Sequence, residues 1–181
     1  MTKLSELRMA FTDTETTGLD EQKHEIIEIA TLIYNPCTDK VDEEWVTKVA
    51  PTHIETASPE ALRINGYINN PQAYTSGLKS ALLRFNSLVK DCFIVGQNIE
   101  FDLKFIHKGM DDFGIKPSFG RHRKLELMSL VWWAVKDTEL EKMSLESLCN
   151  HFEVSNVGAH TALVDCQRTF EVYKRLLELH T

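Results

Sequence analysis

Apolar residues fall in short blocks over the first fifty positions and then at helical spacing over most of the remainder. Residues 9–11, Met-Ala-Phe, make a brief apolar run that gives way at once to Asp13, Glu15 and the Thr16-Thr17-Gly18 turn, which predicts a buried strand with two acids at its end. Residues 25–34 are apolar-rich and bounded by polar positions 20–24 and by Asn35-Pro36, predicting a second, largely buried strand. Residues 44–49 alternate and stop at Pro51, giving a third, with the spacing of an antiparallel meander. Helix signals then take over. Ser58-Pro59-Glu60 offers a cap followed by proline in the first turn, and Gly66 closes that short helix. Leu78, Leu82, Phe85, Leu88 and Val89 mark a helix over 76–90, and residues 93–96 read as a short buried strand. A helix from 99 or 100 to 110 follows, then a loop through Gly114, Pro117 and Gly120, and helices over 125–135, 145–152 and 161–179. The last is expected to bury Leu163, Cys166, Phe170, Tyr173 and Leu177 on one face. Strands first and helices later predict an α/β fold with a central mixed β-sheet flanked by α-helices. Neither an internal repeat nor an interdomain linker interrupts the 181 residues, so residues 1–181 are expected to form a single domain.

Composition narrows the setting. A hydrophobic share of 43% beside 26% charged residues is that of a globular protein, and the absence of a long apolar run or a signal-peptide pattern argues against membrane insertion and secretion. Cys37, Cys92, Cys149 and Cys166 are scattered without Cys-x-x-Cys spacing, which points to reduced thiols in a cytoplasmic protein, mostly in the core, rather than to zinc. A net charge of −7 argues against broad basic gripping of nucleic acid, but not against a nucleic-acid enzyme whose acids are metal ligands.

Three constellations carry chemistry. Strand side chains alternate, so Asp13 and Glu15 point the same way and can converge on one cation, which oxygen donors would make Mg²⁺ or Mn²⁺. A second such pair, Asp42/Glu44, lies in a polar run with no glycine turn after it and reads as solvated surface. Asp102 follows Asn98 by four residues in the first turn of a helix, whose positive end favours an ionised carboxylate. His160 and Asp165 lie at the start of the final helix, close enough for both to reach one site there, whereas His107/Asp112, with the same spacing, reads as a pair of solvent-facing side chains within a helix.

Taken together and in this order, Asp13-x-Glu15-Thr16-Thr17-Gly18, Asn98-x-x-Phe101-Asp102 and His160-x-x-x-x-Asp165 resemble the three motifs of the DEDDh branch of the DEDD (DnaQ-like) 3′ to 5′ exonuclease superfamily. The resemblance implies a ribonuclease H-like fold, in agreement with the strand and helix order. It implies that Asp13, Glu15, Asp102 and Asp165 hold two Mg²⁺ or Mn²⁺ ions, and that His160 is the general base. It further implies that Thr16, Leu19 and Asn98 lie against the terminal nucleotide, with Leu19 wedging at the base, and that nucleoside 5′-monophosphates leave from a 3′ end. Departures from the family pattern stand at Gln97, where histidine is common, at residues 62–67, where Ile-His-Gly-Ile is common, and at residues 124–127, where Asp-Thr is common.

The expected substrate is single-stranded DNA or a frayed 3′ end. Short RNA is the alternative with the same machinery, and a nuclease-fold subunit acting through a polymerase or other protein partner is a third. The oligomeric state, monomer or homodimer, stays open. The basic run Arg121-His122-Arg123-Lys124 reads equally as a phosphate-steering patch or a solvated loop, and of Trp132 and Trp133, in an apolar helix, at least one is expected in the core.

Overall fold

A computed structural model describes residues 3–120 and 122–179. Among the described residues, five strands form one sheet in the order β3-β2-β1-β4-β5: β1 is Met9–Thr16, β2 Ile26–Asn35, β3 Lys40–Lys48, β4 Phe93–Gly96 and β5 Lys124–Glu126. β1, β2 and β3 pair antiparallel, while β4 and β5 run parallel to β1, so the sheet is mixed as the pattern predicts. The helices are α1 Pro59–Ile64, α2 Leu78–Leu88, α3 Ile99–Asp112, α4 Leu127–Val135, α5 Leu145–His151 and α6 Ala162–Glu178.

β2 reads as a mostly apolar run because both its faces are covered. Ile29 and Ile33 pack with Leu82, Phe85, Leu103 and Ile106 of α2 and α3 on one side. Ala30, Leu32 and Tyr34 join Phe11, Val95 and Cys166 on the other, under α6. A third cluster ties α4, α5 and α6 together through Leu127, Val131, Leu148 and Val172. Glycine is required at Gly96, where an added Cβ would lie 2.9 Å from the Thr12 carbonyl oxygen, so it lets β4 sit tightly against β1.

Four expectations need correction. β3 begins at Lys40, earlier than the predicted 44, because an edge strand with an open outer face tolerates a polar run. Leu125 is not helical: residues Lys124–Glu126 pair with β4, and α4 starts at Leu127 with Glu126 as its cap. Trp132 and Trp133 are both exposed, at 47% and 71%, because α4 buries Leu127, Val131 and Val135 instead. α6 buries two sides rather than one, since it touches the sheet through Ala162 and Cys166 and α4 and α5 through Val172 and Leu176; Leu177 is left exposed. Cys92, Cys149 and Cys166 are buried free thiols and Cys37 is an exposed one. Arg121, the first residue of the basic run, lies outside the described residues. Among the described residues no helix is long and apolar enough to cross a membrane.

Candidate active site

The predicted acids gather at the end of β1. Asp13, Glu15 and Asp165 each bring a carboxylate oxygen within 4.8 Å of the others, the first two from one face of β1 and the third from the first turn of α6. Asp102, on α3, is not one of these three converging carboxylates, but it is near enough for its charge to act on Asp13. It is buried, and its Oδ1 accepts the Thr14 backbone N–H at 2.8 Å and the Thr14 hydroxyl at 2.7 Å. β1 therefore alternates acids with a threonine that fastens the helix carrying the fourth acid.

Four like charges in one half-buried space disfavour ionisation. Burial, then Asp102, Glu15, Asp165 and Glu28, hold the Asp13 carboxyl well above the usual carboxylate range. Burial, followed by Asp165, Glu28 and Asp102, pushes Glu15 up to about 8. Burial pushes Asp102 up to about 7, with the two Thr14 hydrogen bonds opposing the rise. A hard cation is the group such a site accepts: carboxylate oxygens are its preferred donors, and its charge would release the retained protons. The donor set thus fits a divalent metal.

His160 adopts φ +69°, a left-handed turn that delivers the chain into α6. Its backbone N–H donates to Asp165 Oδ2 at 3.3 Å, and the residue itself is exposed. Thr16 is buried and spends its hydroxyl on the Gly18 carbonyl at 2.7 Å, shaping the turn. Leu19, beyond that turn, is 83% exposed, and Asn98, at φ +56°, is also exposed. At Gly18 an added Cβ would meet the His24 ring at 2.5 Å, so that ring would have to move. Of the departures from the family pattern, Gln97 turns away and donates to the Met143 carbonyl at 2.6 Å, while Asn65 donates to the Thr16 carbonyl at 3.0 Å and pins the turn from α1.

Sequence reasoning missed three residues. Glu28, only 3% exposed, accepts the Ala162 N–H at 3.1 Å, so a buried acid on β2 anchors the start of α6; its Oε2 faces Lys48 Nζ at 3.7 Å. An acid in the middle of an apolar strand was the available signal. Glu126 caps two helices: its carboxylate takes the N–H groups of Asn98 at 2.9 Å and Ile99 at 3.0 Å, and that of Met128 at 3.2 Å. It stands in the segment where the family commonly has Asp-Thr, and a carboxylate one methylene longer does the capping. The third, Arg168, is buried beside Asp165.

Acids converging at the end of the central strand of a mixed sheet define a carboxylate-centred enzyme of the ribonuclease H-like class. The sequence matches the RNase_T family, described as Exonuclease, over residues 10–173, and the chain belongs to that family of DEDD-type 3′ to 5′ exonucleases. Among relatives, the DNA polymerase III subunit epsilon of Aquifex aeolicus (strain VF5) is 28% identical over 167 residues, covering 92% of this chain and 78% of that one. Ribonuclease T of Shewanella baltica (strain OS155) is 31% identical over 180 residues, covering 89% of this chain and 77% of that one. Among solved structures, E. coli exonuclease I in complex with single-stranded DNA superimposes with a TM-score of 0.80 at 20% identity, over 97% of this chain and 41% of that one. Cell-death related nuclease 4 gives 0.75 at 14% identity, over 95% and 64%. The chain thus spans about two fifths of the exonuclease I chain, and these two likenesses concern the fold.

Proposed function

We propose that this protein removes nucleoside 5′-monophosphates one at a time from the 3′ end of single-stranded DNA, or of a frayed duplex. The observation that carries this reading is the convergence of Asp13, Glu15 and Asp165 within 4.8 Å, with Asp102 fastened beside them. In this reading Asp13, Glu15, Asp102 and Asp165 hold two Mg²⁺ or Mn²⁺ ions. Such ions, when bound there, would lower the pKa of an attacking water and stabilise the leaving 3′ oxygen. His160, whose backbone N–H meets Asp165 on the turn before α6, takes the proton of that water as general base. Leu19 wedges against the terminal base, Asn98 contacts the same nucleotide, and Thr16 holds the turn beneath it. Asp102 is set by Thr14 and, through the start of α3, by Glu126. The protein works in the cytoplasm, which three buried reduced thiols support.

A second reading, an exoribonuclease on short RNA, is favoured by the 31% identity with Ribonuclease T. Likeness to a polymerase subunit supports a polymerase as a protein partner in addition to the nucleic acid. Incubation with equal amounts of DNA and RNA of one sequence in Mg²⁺, with chromatography of the products, tests the proposal. DNA-derived 5′-monophosphates should dominate. Faster release from RNA would move the assignment to the second reading, and 3′-monophosphates or longer fragments would refute both.

A further inference from the structure

Arg168 is an unusual residue for its position. It lies on α6, three residues after Asp165, at 5% exposure, where an apolar side chain would fill the space without desolvating a charge. Its guanidinium is spread over separate partners. Nη1 donates to Asp165 Oδ1 at 2.5 Å and Nη2 donates to Asn156 Oδ1. Nε has no acceptor among the described residues, so the fork is committed to the first two contacts at some cost. Asn156 in turn donates to Asn150 Oδ1 at 2.7 Å, and it belongs to the segment that leads from α5 to His160. The other oxygen of Asp165 accepts the His160 N–H, so the carboxylate is gripped from both sides.

We propose that Arg168 is the positioning residue of this site: one arm of its guanidinium orients Asp165 toward Asp13 and Glu15, and the other holds the His160 segment through Asn156. This rests on the reading of the site as a divalent-metal nuclease centre. A rigid planar fork can bridge two acceptors in a way a lysine ammonium cannot. Groups that orient a metal's ligands typically govern affinity or activity by about 10- to 100-fold. The two arms predict separable effects. The Asp165 arm sets how well the acids bind a cation, and the Asn156 arm sets turnover once the cation is bound.

The test compares the parent protein with Arg168→Lys, Arg168→Gln and Asn156→Ala. Mn²⁺ binding is measured by calorimetry without nucleic acid, turnover on a 5′-labelled oligonucleotide at saturating Mn²⁺, and folding by the thermal midpoint. Arg168→Gln should weaken Mn²⁺ binding by about tenfold or more, with Arg168→Lys in between, because orientation outweighs the relief of a nearby positive charge. Asn156→Ala should bind Mn²⁺ within about twofold of the parent and turn over about tenfold more slowly. Unchanged or tighter Mn²⁺ binding by folded Arg168 variants would overturn the proposal, since Arg168 would then only balance charge. If the Arg168 variants fail to fold, Asn156→Ala decides alone, and parent-like turnover in it overturns the proposal. A parent that neither binds Mn²⁺ nor cleaves would instead refute the nuclease reading itself.

Discussion

Replacing Glu15 with glutamine should stabilise the metal-free protein, by an amount that depends on pH. Glu15 is held at about 8 against an ordinary 4.5, chiefly by burial and by the charges of Asp165 and Glu28. The sign follows from linkage: a carboxyl with a raised native pKa favours folding fully below the unfolded value and loses that advantage as pH climbs through the native one. At about 1.4 kcal/mol for each tenfold in proton affinity, ionisable Glu15 costs the fold less than about 1 kcal/mol at pH 5 and up to about 4 kcal/mol at pH 8. Sharing a proton with Asp13 and relaxation toward water reduce the expected gain of Glu15→Gln at pH 8 to about 2 kcal/mol. For a chain of this size that is about 4–8 °C in the thermal midpoint. Thermal unfolding of parent and variant in EDTA, at pH 5 and pH 8, measures it. Saturating Mn²⁺ should reverse the order, because the amide is a poorer ligand. An equal gain at both pH values, or a loss at pH 8 in EDTA, would refute the idea that crowded carboxylates dominate the electrostatics here.

Two further outcomes follow from named contacts. Glu126→Ala strips the caps from α3 and α4 at once and should cost about 2–3 kcal/mol in urea unfolding, whereas a loss below about 0.5 kcal/mol would show that the cap hydrogen bonds carry little. His160→Ala should slow turnover by about 100-fold or more while calorimetric Mn²⁺ affinity stays near that of the parent; a matching collapse of metal binding would make His160 structural rather than a base.

What could be read from the chain depended on how local the cause was. Asp13 and Glu15 were legible because period-two alternation puts them on one face, and the Thr16-Thr17-Gly18 turn fixed where the strand ended. β2 was legible because burial on both faces leaves a mostly apolar run, broken by Glu28 and Thr31. β5 was not, since three residues carry too little periodicity to announce a strand, and parallel pairing with β4 is a tertiary fact. Trp132 and Trp133 misled because α4 satisfies its core contact with aliphatic residues. Arg168 lay hidden in a polar stretch of α6, where nothing in the spacing shows that Asn156, twelve residues earlier, folds back onto it. Glu28 was visible as an acid in an apolar strand, but its partner, the Ala162 N–H, is 134 residues away.

In the proposed function the carboxylates of β1, α3 and α6 would hold the divalent ions needed for cleavage at a 3′ end. A 5′-labelled single-stranded DNA, followed over time at single-nucleotide resolution with parent and Asp13→Ala protein in Mg²⁺ and in EDTA, tests it most directly. The parent in Mg²⁺ should give a ladder shortening from the 3′ end, and neither EDTA nor a fully folded Asp13→Ala variant should give one. A ladder of equal rate from Asp13→Ala, or one that persists in EDTA, would contradict it.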